Sequence, residues 1–274
     1  MSDTLFSLEH KTAVITGGFG QLGQEFTRAL LAQGASVAIW SRKAIPAEQV
    51  RAAFGVELAE KVITLRADVT DRQSLLNALD ETQRRFCVPH VLINNAGIDT
   101  QPSAPPEVSG PFEQFPEEVW REVIDVNLTG VFLCCQVVGG AMAQAGRGSI
   151  INVGSIYGML SPVQDIYAYK EEKTGRAFTK PVAYCASKSG IYNLTRYLGT
   201  YWGKKGVRVN TLTPSGVFRA DQDKEFVENY CNRIPIGRMA RPEEYNGAII
   251  FLASDASLYM TGSNLTVDGG WSAW

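Results

Sequence analysis

Short apolar, β-branched runs alternate with amphipathic stretches along the whole chain. Seven runs read as strands: Ala13–Thr16, Ser36–Trp40, Val62–Leu65, Val91–Asn94, Ser149–Val153, Val207–Leu212 and Asn264–Val267. Between them, apolar residues recurring at helical spacing predict helices over about Gln21–Gln33, Asp71–Arg85, Glu117–Ala145, Pro181–Gly203 and Pro242–Ala253. Continuous apolar strands separated by helices predict a parallel sheet with helices on both faces. That is a doubly wound α/β fold, expected to form one domain over residues 1–274. Right-handed crossovers put the ligand crevice of such a sheet at the carboxyl ends of its strands.

Two segments break the alternation. Asp99–Pro116 carries five prolines and reads as a surface loop after the fourth strand. The polar stretch Ile156–Lys180 separates the fifth strand from its helix. Loops of that length are uncommon unless they are functional or disordered.

Composition narrows the function. The chain has 274 residues, 45% hydrophobic and 20% charged, with a formal net charge of −2. That balance gives no bulk attraction to nucleic acid or an anionic membrane, and neither is an expected partner. The most apolar run, Val131–Met142, is interrupted by Gln136 and is too short to span a bilayer. No opening stretch reads as a signal peptide. Five cysteines without regular spacing read as reduced thiols, which places the protein in the cytoplasm. The two histidines, His10 and His90, are far apart, so a serine–histidine hydrolase or a histidine-rich metal centre is excluded and no metal is expected. Proton chemistry falls to Tyr, Lys, Asp, Glu or Cys.

The segment Thr16-Gly-Gly-Phe-Gly-Gln-Leu-Gly23 follows the first strand and opens a helix. Glycines there permit a tight turn and let backbone amides approach a pyrophosphate at the helix N-terminus. An acid at the end of the second strand would accept the ribose hydroxyls of NAD. The chain instead has Ser41, Arg42 and Lys43 there. Arg42 can hold a 2′-phosphate through its planar fork, which favours NADP over NAD.

Three Tyr/Lys pairs stand four residues apart: Tyr169/Lys173, Tyr184/Lys188 and Tyr201/Lys205. On a helix such a pair shares one face, and the ammonium favours the phenolate. Tyr169/Lys173 lies in the charged stretch with no evident buried face, and Tyr201/Lys205 spans a helix end at Gly203. Tyr184-Cys-Ala-Ser-Lys188 has the small intervening residues that a helix needs when a flat cofactor lies against it.

Together these residues resemble the short-chain dehydrogenase/reductase family over nearly the whole chain. The motifs are Thr16–Gly23, Asp68-Val69, Asn94-Asn-Ala-Gly97, Asn127, Ser155, Tyr184/Lys188, Pro214–Val217, Thr261-Gly262 and Asp268-Gly-Gly270. The resemblance implies a Rossmann-type sheet of seven parallel strands, a nicotinamide cofactor and hydride transfer between an alcohol and a carbonyl. It implies Tyr184 as acid/base and Lys188 as the group that lowers its pKa and binds the nicotinamide ribose. Ser155 would hold the substrate oxygen, and Asn127 would position a water linking Lys188 to solvent. Implied cofactor contacts are Gly17, Phe19, Gln21, Leu22, Ser41, Arg42, Asp68, Val69, Asn95, Ala96, Gly97, Pro214 and Val217. Judged singly, Ser155 also reads as a turn cap and Asp68 as a helix N-cap.

Three departures stand out. Gln21 occupies the place of a family glycine, so the Gly17/Gly20/Gly23 spacing resembles sugar-nucleotide epimerases and dehydratases. Ser155 and Tyr184 lie 29 positions apart, which marks 157–181 as an insertion beside the reacting centre. Ser215 follows Pro214 where glycine is usual, and no Thr follows Val217. The insertion is expected to form part of the substrate pocket, with Tyr157, Tyr167 and Arg176 as candidates. Trp271 and Trp274 are expected at an interface of a homo-oligomer, a tetramer or dimer. The substrate expected is a secondary alcohol or ketone in a sugar, polyol or sugar acid. The competing readings are an epimerase or dehydratase holding its cofactor tightly, and a non-catalytic dinucleotide sensor.

Overall fold

A computed structural model of the chain describes residues 5–100, 104 and 108–274, so the proline-rich stretch lies partly outside the described residues. All seven predicted runs are strands: β1 (Thr12–Thr16), β2 (Ser36–Ser41), β3 (Val62–Arg66), β4 (Val91–Asn94), β5 (Gly148–Val153), β6 (Val207–Pro214) and β7 (Asn264–Val267). They form one sheet in the order β3-β2-β1-β4-β5-β6-β7, with every neighbouring pair parallel. Every residue of β1 and β4 is buried, as an interior parallel strand covered on both faces must be. The strand order reverses direction between β1 and β4, and a crevice opens beyond their carboxyl ends.

The helices are α1 (Gln21–Ala32), α2 (Ala47–Phe54), α3 (Val56–Ala59), α4 (Arg72–Arg85), α5 (Glu117–Gln144), α6 (Ile156–Met159), α7 (Tyr169–Thr174), α8 (Val182–Trp202), α9 (Lys224–Cys231) and α10 (Asn246–Ala253). On one face, Leu75 and Leu79 of α4, Val138 and Met142 of α5, and Ile191 and Trp202 of α8 pack against Val14, Leu92 and Ile150. On the other, Phe26 and Leu30 of α1 and Ile249 and Leu252 of α10 cover Ile15, Ile93 and Ile151. Burying each such side chain contributes about 1.5–3 kcal/mol.

Helix α5 is longer than the apolar run inside it. As a whole it is long and apolar enough to cross a membrane by length and composition. Half of its most apolar window is nonetheless buried inside the protein, where it serves as a core helix. It carries two π-helical turns, Asp125–Thr129 and Cys135–Gly139. Such turns recur at functional sites, and the first holds Asn127.

The insertion builds a third core of its own. Tyr157, Tyr167 and Phe178 pack with Phe226 and Tyr230 of α9 and with Trp271. Ion pairs from Lys173 of α7 to Asp223 and Glu225 hold it against the start of α9. This corrects two expectations. Tyr169 is only 3% exposed, because α7 turns it beneath its own polar face. Trp271 packs 4.3 Å from the Tyr230 ring within the chain and is not free for an interface, whereas Trp274 is exposed.

Candidate active site

The glycine turn is locked to the end of β4. Thr16 Oγ1 accepts the backbone N–H groups of Asn95 and Ala96 at 3.0 Å. Asn95 Nδ2 donates to the carbonyls of Thr16 at 3.1 Å and Gly17 at 3.0 Å. Gly17 sits at φ +65°, a conformation side chains disfavour. Gly23 allows close packing, since a Cβ there would collide with the Gly17 carbonyl and lie 2.8 Å from Gly18 Cα. Gly23→Ala is therefore expected to destabilise the fold by about 1–3 kcal/mol and to weaken nucleotide binding. Thermal unfolding with and without nucleotide checks it, and an unchanged melting temperature would show that the turn yields.

Helix α1 begins at Gly20 with no side-chain cap and no acid in its first turn. Its free amides and positive dipole end fit an anion such as a pyrophosphate. On one side of it runs a groove lined by Gly17, Ser41, Arg42, Val69 and Ala96. Through Asn95, Gly97 and Ile98 the groove continues into a chamber lined by Leu22, Ser155, Tyr157, Tyr184, Lys188, Pro214 and Val217. The shape and donor set fit an extended dinucleotide, with its adenosine end near Arg42 and its nicotinamide end near Tyr184.

Phe19, Gln21 and Asp68, expected at the cofactor, also make contacts within the protein. The Phe19 ring packs 5.7 Å from the Phe54 ring, away from the groove. Gln21 lines the chamber and donates from Nε2 to the Phe218 carbonyl at 2.8 Å, tying α1 to the segment after β6. The Asp68 carboxylate accepts from the Thr70 N–H at 2.9 Å and hydroxyl at 2.7 Å; the helix cap is Asp71, which accepts from Gln73. Burial pushes the Asp68 carboxyl up, but the Thr70 bonds and the nearby Arg42 charge hold it below its ordinary value.

At the chamber floor, Ser155 caps α6, its Oγ accepting the Tyr157 N–H at 3.2 Å. Tyr192 steadies it from beneath, donating to the Ser155 carbonyl at 2.7 Å. Helix α8 brings Tyr184 into the chamber wall beside Ser155. One turn on, the buried Lys188 lies with Nζ 5.9 Å from the Tyr184 ring centre and donates to the Val153 carbonyl at 2.8 Å. Burial pushes Lys188 down to about 8. Burial also carries the Tyr184 phenol well above its ordinary range, with Asp99 pushing the same way and Ser155 opposing. The Tyr184/Lys188 spacing predicts a lowered phenol, whereas burial carries it up.

Asn127 uses its side chain fully. Oδ1 accepts the Ile98 N–H at 2.7 Å, while Nδ2 donates to the Ile98 carbonyl at 2.9 Å and to Ser187 Oγ at 3.2 Å. It braces the chain after β4. Of the insertion candidates, Tyr157 and Tyr167 line the chamber, whereas Arg176 is exposed and does not reach it. The chamber is also lined by residues that the sequence does not single out, Asp99 and Lys180 among them. The signal was faint: an acid two residues past Gly97 and a lysine just ahead of Pro181.

A family model described as enoyl-(acyl carrier protein) reductase matches residues 20–272. Galactitol 2-dehydrogenase (L-tagatose-forming) of Cereibacter sphaeroides is 32% identical over 276 residues, covering 99% of this chain and 98% of its own. A short-chain dehydrogenase from Leptospira borgpetersenii, solved with bound NAD+, superposes with a TM-score of 0.83 at 31% identity, covering 99% and 96% of the two chains. Gluconate 5-dehydrogenase from Burkholderia cenocepacia, in complex with NADP and tartrate, gives 0.82 at 29% identity, covering 98% of each. With its parallel sheet, glycine turn and Ser155–Tyr184–Lys188 floor, this chain belongs to the short-chain dehydrogenase/reductase family of NAD(P)-dependent oxidoreductases.

Proposed function

We propose that the chain interconverts a secondary alcohol and its ketone on a sugar, polyol or sugar acid. The observation that carries this reading is the convergence of Ser155, Tyr184 and the buried Lys188 where the nucleotide groove opens into the chamber. A nicotinamide bound there supplies or accepts the hydride. In oxidation, Ser155 holds the alcohol oxygen and Tyr184, as phenolate, takes the hydroxyl proton. In reduction, Tyr184 returns that proton to the carbonyl oxygen. The Lys188 ammonium stabilises the phenolate in both directions, and Asn127 keeps Gly97 and Ile98 in place beside it. The relatives above are dehydrogenases, which does not favour an epimerase, and a sensor has no use for this proton-handling floor.

The whole chain acts as one domain in this reading, in the cytoplasm, where its five free cysteines stay reduced. The exposed aromatic faces of α5 and α8, with Phe132, Tyr197 and Tyr201, fit a homo-oligomer. The cofactor is NADP in preference to NAD, because Arg42 and Lys43 line the adenosine end of the groove. NADPH is expected to bind about tenfold more tightly than NADH, and Arg42→Ala to remove most of that difference, as loss of one charge-assisted bond would. Titration by nucleotide fluorescence checks both; tighter NADH binding would make Arg42 a bystander.

A further inference from the structure

We infer that the Lys180–Asp99 pair in the chamber wall reads a hydroxyl beside the reacting carbinol, so that the substrate is an uncharged vicinal polyol and not an aldonate. The inference rests on the function proposed above and narrows it to one substrate class.

Lys180 is the last residue of the insertion before Pro181, and it is only 7% exposed. Lysines are almost never buried unless paired. Its Nζ meets Asp99 Oδ1 at 2.5 Å and donates to the Thr100 carbonyl at 3.2 Å. The same ammonium lies 4.9 Å from the Tyr184 ring centre and 5.8 Å from that of Tyr157. Its backbone N–H is fixed by Gln164 Oε1 at 3.0 Å. The charge is therefore held against the face of the acid/base ring.

Anchoring the insertion does not explain the pair. The insertion already packs through its own core and through Lys173 to Glu225 at 2.6 Å. A buried ion pair is moreover weak evidence for stability, since apolar replacements are often neutral. What the pair offers is an acceptor and a donor side by side. The Asp99 side chain is 32% exposed and opens into the chamber. A hydroxyl can donate to the carboxylate and accept from the ammonium, which a monohydroxy alcohol cannot exploit away from its carbinol.

Charge decides between polyol and acid. The chamber is lined by four charged residues, Asp99, Lys180, Lys188 and Arg219. Lys180 is neutralised by Asp99, and Arg219 at the rim by Asp221 at 3.1 Å. Lys188 lies behind Tyr184 on the Val153 carbonyl. A carboxylate placed at the Lys180–Asp99 pair would face the Asp99 charge, whereas a neutral hydroxyl meets no repulsion there.

The test is steady-state oxidation of a panel of short polyols, the matching aldonates and cyclohexanol, using wild-type protein, Asp99→Asn and Lys180→Met. The wild type is expected to prefer polyols to aldonates. The ratio of kcat/KM for the best polyol to that for cyclohexanol should fall at least about tenfold in each variant, since the hydroxyl loses its partner. Using the ratio cancels any change in the proton step that both alcohols share. The double variant should cost little more than either single one, as two residues acting as a unit do. Two independent substitutions guard against one of them failing to fold, and melting temperatures identify such a case. An unchanged ratio in both variants, or a preference for aldonates, overturns the inference while leaving the dehydrogenase reading intact. Nucleotide binding without oxidation of any alcohol overturns both.

Discussion

Tyr184→Phe is expected to lower kcat by about a thousandfold in both directions while leaving nucleotide binding unchanged. The magnitude is that of a positioned acid/base group. The hydroxyl is the atom at issue: Tyr184 lines the chamber together with Ser155, which opposes the rise that burial imposes on the phenol. The ring itself is packed against the Lys180 and Lys188 ammonium groups, and Phe preserves that packing. Stopped-flow measurement of hydride transfer, paired with nucleotide titration, separates chemistry from binding. Tyr169 and Tyr201 make the matching controls. Tyr169 is buried against Lys170 and Lys173 outside the chamber, and Tyr201 is exposed beside Lys205 at the end of α8. Their Phe variants should keep near-wild-type kcat. A Tyr184→Phe protein that still turns over would remove the acid/base assignment.

The frame of this fold was legible because interior parallel strands are continuous apolar runs, and β1, β4 and β5 have almost no polar face to disguise them. The long helices were legible for a related reason, since α1, α4 and α8 each bury one stripe against the sheet. The short ones were not. Helix α2 buries only Val50 and Phe54, and α9 only Phe226 and Tyr230, too few positions to establish a period.

At the site, the turn and the Tyr184/Lys188 pair were readable from spacing on elements already located, and Ser155 only through the family resemblance. The insertion was not, because its burial depends on partners distant in sequence. Tyr169 looked solvated among Lys and Glu until α7 folded against α9. Lys180 looked like the polar end of a loop, and only the fold brings Asp99, 81 residues earlier, to its ammonium. Desolvation was the other missing quantity. Sequence places an ammonium beside a phenol but does not show how little water reaches either.

That desolvation fixes the pH dependence. Burial pushes Lys188 down to about 8 and holds Tyr184 well above it, so the first proton lost from the pair leaves mostly from the lysine. Oxidation needs the phenolate–ammonium form, which carries the same number of protons as the phenol–amine form. The two therefore stay in fixed ratio as pH changes, and the active one follows the once-deprotonated pair. The rate of alcohol oxidation should accordingly rise about tenfold per pH unit below the break near pH 8 and level off above it. Ketone reduction needs phenol and ammonium together, so it should be level below the break and fall by the same slope above it. With oxidised nucleotide bound, the added positive charge moves the break to lower pH without changing either slope. Lys188→Met leaves a single titrating phenol, so the alkaline plateau should vanish and oxidation should keep climbing to high pH from a much lower base. Profiles of kcat/KM in both directions, for the wild type and this variant, measure it. A flat oxidation profile on the acid side of the break would mean that Tyr184 is not the group taking the proton.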